Sequence, residues 1–171
     1  MNYCQLQSEV EKTAKEIIRK FTNSHISLSG AESCTGGAVA AAIVSIANAS
    51  KIFKGSAVCY CDEAKQNVLS IDEDILKTHF AESLQCAQAM AVNALLLYKS
   101  DIAFATTGFL DDNIGQNRPT SLAGKVFISV AKKGSSSTET TVRELQLDVS
   151  QPRNYNKTVC VLDILKMILE I

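Results

Sequence analysis

The stretch Ser29–Gly37, which reads S-G-A-E-S-C-T-G-G, constrains this chain more than any other. Ile26 and Leu28 before it indicate a short strand, and the apolar run Ala38–Ala47 behind it indicates a helix. The stretch is therefore predicted to be the end of a strand, a tight polar turn and the start of a helix. Free backbone N–H groups at such a helix start favour an anion or a developing oxyanion, with Ser33 beside it as a candidate nucleophile.

The same residues allow a simpler interpretation. A serine or threonine ahead of a helix is most often an N-cap, and the pair Gly36-Gly37 can serve only for close packing. The run follows neither the Rossmann glycine pattern nor a P-loop, because no lysine follows the second glycine. Capping and anion binding both stay open on the spacing alone.

Length and charge narrow the classes of protein. A chain of 171 residues predicts one domain, residues 1–171, with a core large enough to stand alone. The formal net charge of −1 gives no basic field for nucleic acid. The sequence has no apolar run of membrane-spanning length, and its N-terminus shows no basic region followed by an apolar stretch. We therefore expect a cytoplasmic protein with no nucleic-acid or membrane partner.

Cysteine usage predicts reduced, buried thiols rather than disulfides or metal ligands. The six cysteines are scattered, mostly in apolar company. Cys59 and Cys61 form a C-x-C without a nearby histidine or a second cysteine pair, which is a poor zinc site. We therefore expect no metal site. The many apolar helical faces also predict a homo-oligomer, at least a dimer.

Helical and strand patterns alternate through most of the chain, and one hairpin comes near the end. This order predicts an α/β protein, a three-layer α/β/α domain with a mixed, mostly parallel sheet. The expected elements, in order, are a helix over Gln5–Phe21, a strand over Ile26–Ala31, the helix after Gly37, a strand over Ser56–Cys61, helices from Asp62 and from Ser83, a strand over Asp101–Thr107, a long polar loop over Phe109–Leu122, strands over Gly124–Ala131 and Thr138–Val149, and a last helix from Gln151.

Polar features follow three of these strands, and ligands of such sheets usually sit beyond the carboxyl ends of the strands. Ser33, Tyr60 and Lys65 are thereby expected to converge, near Thr107 and Gly108. A serine nucleophile needs a base; an uncharged lysine can serve, and a tyrosine can relay or orient a proton. The simpler alternative is that Tyr60 is a half-buried strand residue and that Lys65 only stabilises a surface helix.

Ala31–Gly37 also resembles the A-E-S-C-T-G-G signature of the CinA C-terminal domain family, whose known activity is nicotinamide mononucleotide deamidase. The resemblance covers about residues 6–171. Further matches to the family's motifs come in the right order: Phe53-Lys54-Gly55, Tyr60, Lys65, Ala81, Ser83, Asp101-Ile102-Ala103, Thr107-Gly108, Gly124, Val126 and Arg153.

The resemblance implies hydrolysis of the carboxamide of nicotinamide mononucleotide to nicotinate mononucleotide and ammonia, with no cofactor and a small pyridine nucleotide as the partner. Ser33 would attack the amide carbon, while Lys65, helped by Tyr60, would take the serine proton and later protonate ammonia. The N–H groups of Thr35–Gly37 would hold either the oxyanion or the phosphate. The substrate-binding residues expected from the resemblance are Glu32, Cys34, Thr35, Gly36, Gly37, Thr107, Gly108 and Arg153.

The chain departs from the family after Thr107-Gly108, where the family continues with I-A-G-P-G-G and this chain reads F-L-D-D-N-I-G. Acids thus replace glycines where a phosphate would approach, and a carboxylate repels phosphate. We expect the loop Phe109–Asn117 to border the site and tune substrate choice; a solvated surface loop is the alternative. We therefore expect a stand-alone member without the family's N-terminal domain. It is an active deamidase, a relative with a changed substrate, or a degenerate relative that binds a nucleotide or a protein partner without turnover.

Overall fold

Helices and strands alternate along residues 1–114 and 118–171, the part of the chain that the computed structural model describes. Short 3₁₀ turns at Ala49–Lys51 and Thr120–Leu122 join some of them. The elements are α1 (Tyr3–Ser24), β1 (Leu28–Glu32), α2 (Ala38–Val44), β2 (Phe53–Val58), α3 (Asp62–Leu69), α4 (Glu73–His79), α5 (Leu84–Tyr98), β3 (Ile102–Gly108), β4 (Lys125–Lys133), β5 (Thr138–Gln146) and α6 (Arg153–Leu169).

The strands form one sheet in the order β2-β1-β3-β4-β5. β1 pairs in parallel with β2 and with β3, whereas β4 runs antiparallel to both β3 and β5. Four strands therefore point the same way, and β4 alone of the five points the other way. The carboxyl ends of β1, β2 and β3 lie side by side at one edge of the sheet, which we call the C-terminal edge.

Two helical layers cover the sheet and confirm the predicted three-layer architecture. On one face α1, α2 and α6 pack against Leu28 and Phe104. On the other face α3, α4 and α5 pack against Ala31 and Ala105. Alternate residues of β1 and β3 thus point to opposite layers, as the pleat of a strand requires. A Cβ at Gly30 would lie 2.2 Å from the Phe104 ring, so a glycine is needed where that ring crosses β1.

β2 lies earlier in the chain than its sequence pattern predicts. The pattern indicated Ser56–Cys61, and the strand is Phe53–Val58. Cys59 still donates its N–H to the Glu32 carbonyl (2.8 Å), after which the chain leaves the sheet, and Cys61 becomes the N-cap of α3. The helix start at Asp62 thus ends the strand, and Tyr60 and Cys61 lie in the connection. α2 is also shorter than its apolar run, since it ends at Val44.

Other sequence predictions meet the structure in part. All six cysteines carry free thiols; four are buried, but Cys4 and Cys61 are exposed, contrary to expectation. Across residues 1–114 and 118–171, no three histidine, cysteine or acidic side chains are placed as a metal site requires. In the same ranges, no helix combines the length and apolar character that crossing a membrane takes. The predicted loop Phe109–Asn117 is described up to Ile114, and 115–117 lie outside the described residues.

Candidate functional site

Ser33 stands immediately after β1 at the C-terminal edge. Its N–H donates to the Thr106 carbonyl (2.9 Å), which continues the pairing of β1 with β3 by one residue. Its own carbonyl then accepts a hydrogen bond from the Gly36 N–H (3.0 Å), which closes a tight turn. Ser33 is 7% exposed, so its hydroxyl is held at a fixed position beneath the surface of this edge.

Lys65 is the side chain that contacts the Ser33 hydroxyl. It comes from the first turns of α3 and is 2% exposed, which is unusual for a lysine. Its Nζ lies 3.2 Å from Ser33 Oγ. This separation is within the range for direct proton transfer between a nucleophile and its base. The simpler interpretation, which places Lys65 on a surface helix, does not fit this burial, and its role as a base remains a prediction.

Two thiols, Cys59 and Cys86, lie near Lys65. Burial raises the pKa of Cys86 to about 12, and the nearby Lys65 amine offsets only part of that rise. Burial likewise raises the pKa of Cys59, again against the effect of Lys65. Both thiols are therefore neutral at physiological pH. They give the amine no anionic partner there, and its hydrogen bond goes to Ser33.

Tyr60 lies on the surface of the same edge and contacts Arg153 rather than the serine. It is 63% exposed, in the connection between β2 and α3. Its hydroxyl accepts a hydrogen bond from Arg153 Nη2 (3.2 Å). The interpretation of Tyr60 as a half-buried strand residue is wrong. Its predicted role as a proton relay to Lys65 remains a prediction.

Arg153, the first residue of α6, also pairs with the divergent loop. Its Nη1 lies 2.7 Å from Asp111 Oδ2. The hydrogen bond to this carboxylate raises the pKa of Arg153 above its ordinary value. Asp111 is itself held, because its backbone carbonyl accepts a hydrogen bond from the Gly124 N–H (3.0 Å). Asp111, Arg153 and Tyr60 thus form a connected chain of side chains across the C-terminal edge.

Glu32 occupies the start of α2, where the sequence predicts an anion site. Its fully buried carboxylate accepts the N–H groups of Val39 (3.0 Å) and Ala40 (2.9 Å) and the hydroxyl of Thr35 (2.8 Å). The first-turn donors of α2 are therefore satisfied by a carboxylate of the chain itself. The prediction that this helix start offers free N–H groups is wrong for these two donors, because the sequence does not show which side chain folds back onto the helix.

Other residues that were predicted to bind the ligand use their side chains for hydrogen bonds inside the protein. Thr35 Oγ1 also hydrogen-bonds Thr106 Oγ1 (2.6 Å), and Thr107 Oγ1 donates to the Ala81 carbonyl (2.7 Å). The Cys34 thiol points into the core beneath α6. The hydrogen bond between Cys34 and Cys160 raises the pKa of Cys160 well above its ordinary value, and the burial of Cys160 raises it further. For Cys34, Thr35 and Thr107, ligand binding would have to use the backbone.

Three glycines shape the backbone at this edge. Gly36 and Gly37 take positive φ angles of 59° and 92° in the turn after Ser33. Gly108 has a φ of 137°, and a Cβ there would lie 2.4 Å from the Lys125 carbonyl oxygen. Gly108 therefore lets β3 end close against β4, and the Phe109 N–H then donates to that same carbonyl (2.8 Å).

One ion pair at this edge was missed from the sequence. Arg118 Nε lies 2.9 Å from Glu82 Oε2, and the two side chains are only 25% and 19% exposed. The Arg118 guanidinium also lies over the ring of Phe80, 4.7 Å from its centroid. The one signal for this contact was the charged residue at position 82, where the resembling family has an apolar one.

Comparison with known families and proteins gives a consistent match. The CinA C-terminal domain matches residues 10–171. A CinA-like protein of Flavobacterium psychrophilum is 37% identical over 131 residues, which are 75% of this chain and 30% of that protein. A putative competence-damage inducible protein of Caldanaerobacter subterraneus is 34% identical over 143 residues, 84% of this chain and 33% of that protein. The chain thus spans about a third of the length of these curated relatives.

Solved structures match over nearly the full length. The competence/damage inducible protein CihA of Agrobacterium tumefaciens superposes with a TM-score of 0.86 at 28% identity, covering 95% of this chain and 94% of that chain. The competence damage-inducible protein A of Klebsiella pneumoniae gives a TM-score of 0.85 at 28% identity, over 94% and 95%. The fold described above is therefore shared with these proteins.

Proposed function

The chain belongs to the CinA C-terminal domain family, and on this premise we propose that it is an amidohydrolase that converts nicotinamide mononucleotide to nicotinate mononucleotide and ammonia. The observation that carries the proposal is the contact of the buried Lys65 amine with the Ser33 hydroxyl, at 3.2 Å. A buried lysine that touches a serine at a strand-to-helix turn has the parts of a nucleophile and its base.

In the proposed reaction, Ser33 Oγ attacks the carboxamide carbon while an uncharged Lys65 Nζ accepts the hydroxyl proton. The carbon–nitrogen bond then breaks, and Lys65 returns the proton to the leaving ammonia. Water hydrolyses the resulting ester and releases the nicotinate product and free Ser33. The positive pyridinium ring of the substrate makes the carboxamide carbon more electrophilic throughout.

The tetrahedral intermediate carries an oxyanion, and backbone N–H groups are the donors available for it. Val39 and Ala40 already donate to Glu32, and the Gly36 N–H already donates to the Ser33 carbonyl. The N–H groups of Thr35 and Gly37 are therefore the candidates in the turn next to Ser33. One such donor changes kcat by about 10²–10³-fold in comparable sites. The buried Glu32 carboxylate contributes indirectly, because its bonds to α2 fix the turn from both sides.

Ammonia release from nicotinamide mononucleotide tests the proposal. Ser33→Ala should abolish turnover and Lys65→Ala should lower it by about 10²–10⁴-fold, while their melting temperatures show that they remain folded. Ser45→Ala and Lys77→Ala remove the same groups from exposed positions and should keep the wild-type rate. Wild-type turnover that survives in Ser33→Ala would contradict the serine mechanism.

A second candidate function is binding without turnover. It is favoured by the Arg153–Asp111 pair, because the carboxylate occupies a guanidinium that would otherwise orient the nucleotide's phosphate for turnover. In that case nicotinamide mononucleotide raises the melting temperature, since ligand that binds the folded state stabilises it, but no ammonia appears. The ammonia assay and the thermal shift together separate the two functions.

A further inference from the structure

The structure points to a substrate class for this site. Resting on the proposed amidohydrolase function, we propose that Asp111 occupies the phosphate position on Arg153. The site then prefers a pyridinium carboxamide ribonucleoside without a phosphate ester over the phosphorylated nucleotide. Asp111 is thereby a specificity-determining residue, which the glycine-rich loop of the resembling family does not supply.

The guanidinium of Arg153 is engaged at both of its ends. Nη1 donates to Asp111 Oδ2 at 2.7 Å, and Nη2 donates to the Tyr60 hydroxyl at 3.2 Å. An arginine recognises phosphate best with two parallel N–H donors. A phosphate would have to displace the Asp111 carboxylate before it could use this geometry.

The Asp111 carboxylate is more firmly placed than a typical surface partner. Its Oδ1 accepts the Asn113 N–H (3.1 Å), and its backbone carbonyl accepts the Gly124 N–H (3.0 Å). The side chain is 21% exposed, against 48% for Arg153. A phosphate arriving at Arg153 therefore meets a fixed negative charge that cannot simply rotate into solvent, and like charges at this range repel.

A second arginine at this edge is neutralised in the same way. Glu82 pairs with Arg118 at 2.9 Å, and both side chains are mostly shielded from water. This pair lies beside the end of β3, because the neighbouring Ala81 carbonyl accepts a hydrogen bond from Thr107 Oγ1 (2.7 Å). Two acid–arginine pairs thus leave both of these guanidinium groups already paired with a carboxylate that a phosphate would have to displace. A ribonucleoside with a cationic ring has no phosphate and is not repelled by these carboxylates.

The test compares nicotinamide riboside with nicotinamide mononucleotide by turnover and by calorimetric binding, using the full chain. In the wild type, the riboside should have the higher kcat/KM and the lower Kd, by about tenfold. Asp111→Asn should shift both ratios towards the mononucleotide by about tenfold, because it removes the charge and keeps the shape. Asp112→Asn removes an exposed charge one residue away and should shift the ratios by less than about threefold.

A double substitution shows whether Arg153 is the group that Asp111 blocks. In the Asp111→Asn background, adding Arg153→Gln should cancel the gain in mononucleotide affinity. The stronger salt dependence of mononucleotide binding that Asp111→Asn introduces should disappear as well. If Asp111→Asn does not fold, the same measurements use Asp111→Gly, since glycine is the residue type in the family's loop.

Each outcome decides the inference. A wild-type preference for the mononucleotide, an unchanged ratio in the Asp111 variants, or no binding of either ligand overturns it. If both ligands bind but neither releases ammonia, the proposed function fails. The inferred preference for the riboside over the mononucleotide is then tested by the ratio of their Kd values alone.

Discussion

Glu32 and Ala40 are joined by a hydrogen bond in which the Ala40 N–H donates to Glu32 Oε1 at 2.9 Å. Glu32 ends β1 and Ala40 lies in the first turn of α2, so the bond closes the chain segment that carries Ser33. The same carboxylate accepts the Val39 N–H and the Thr35 hydroxyl. The Ser33 turn is thus held by a buried anion belonging to the chain, which also satisfies the positive end of a helix.

Removing this anion should weaken the fold. Glu32→Ala leaves two backbone N–H groups and the Thr35 hydroxyl without their buried acceptor, which we expect to cost about 3 kcal/mol of unfolding free energy. Urea unfolding measures the loss. Glu11→Ala removes an exposed glutamate that pairs with Lys15, and it should cost less than about 0.5 kcal/mol. Equal losses in both variants would show that Glu32 does not fix the turn.

The sequence predicted the order of elements and the turn at Ser33, because periodicity and polarity report which residues face a core. It placed β2 too late, since Val58, Cys59 and Tyr60 have the composition of a strand but precede a helix start. The family resemblance placed Glu32 among the substrate-binding residues, and its bonds back onto α2 leave no periodic signal in the sequence. The contact of Asp111 with Arg153 joins residues far apart in the chain, and no local pattern encodes it.

Gly108 should tolerate no side chain. A Cβ would lie 2.4 Å from the Lys125 carbonyl oxygen and 2.6 Å from Val126 Cα, at a φ of 137°. Gly108→Ala should therefore lower the unfolding free energy by about 2–4 kcal/mol. Gly36→Ala is the matched control, because its φ of 59° is also left-handed but its Cβ would meet nothing within 4 Å. It should cost about 1 kcal/mol. Chemical denaturation of both variants gives the comparison.

Two aspartates should respond to pH in opposite directions. Hydrogen bonds from Ser27 hold the pKa of Asp101 below its ordinary value, so its charge stabilises the fold above about pH 4 and this contribution is lost as the pH falls further. Burial raises the pKa of Asp163, so its charge opposes folding at neutral pH. At pH 7, Asp101→Asn should lose about 1 kcal/mol, and Asp163→Asn should gain stability. Melting curves measured from pH 3 to pH 8 test both signs. If both substitutions change the melting temperature in the same direction, the prediction is wrong.

The predicted homo-oligomer is testable in solution. Several large apolar side chains are exposed on the described part of the chain, including Leu96 and Leu97 on α5 and Val58 at the end of β2. Exposed apolar groups of this kind are buried when copies associate. We expect light scattering at micromolar concentration to give at least the mass of a dimer. A monomer mass would contradict the prediction.

Tyr60→Phe separates a catalytic tyrosine from one that only orders the edge of the site. Lys65 contacts Ser33, whereas the Tyr60 hydroxyl contacts Arg153. We therefore expect Lys65→Ala to lower kcat by about 10²–10⁴-fold and Tyr60→Phe by about tenfold, since a relay or orienting group contributes less than the base itself. Tyr155→Phe removes a hydroxyl that donates to the Met1 carbonyl and should keep the wild-type kcat. A loss in Tyr60→Phe as large as that in Lys65→Ala would make Tyr60 a principal proton carrier, and no loss would remove it from the catalytic set.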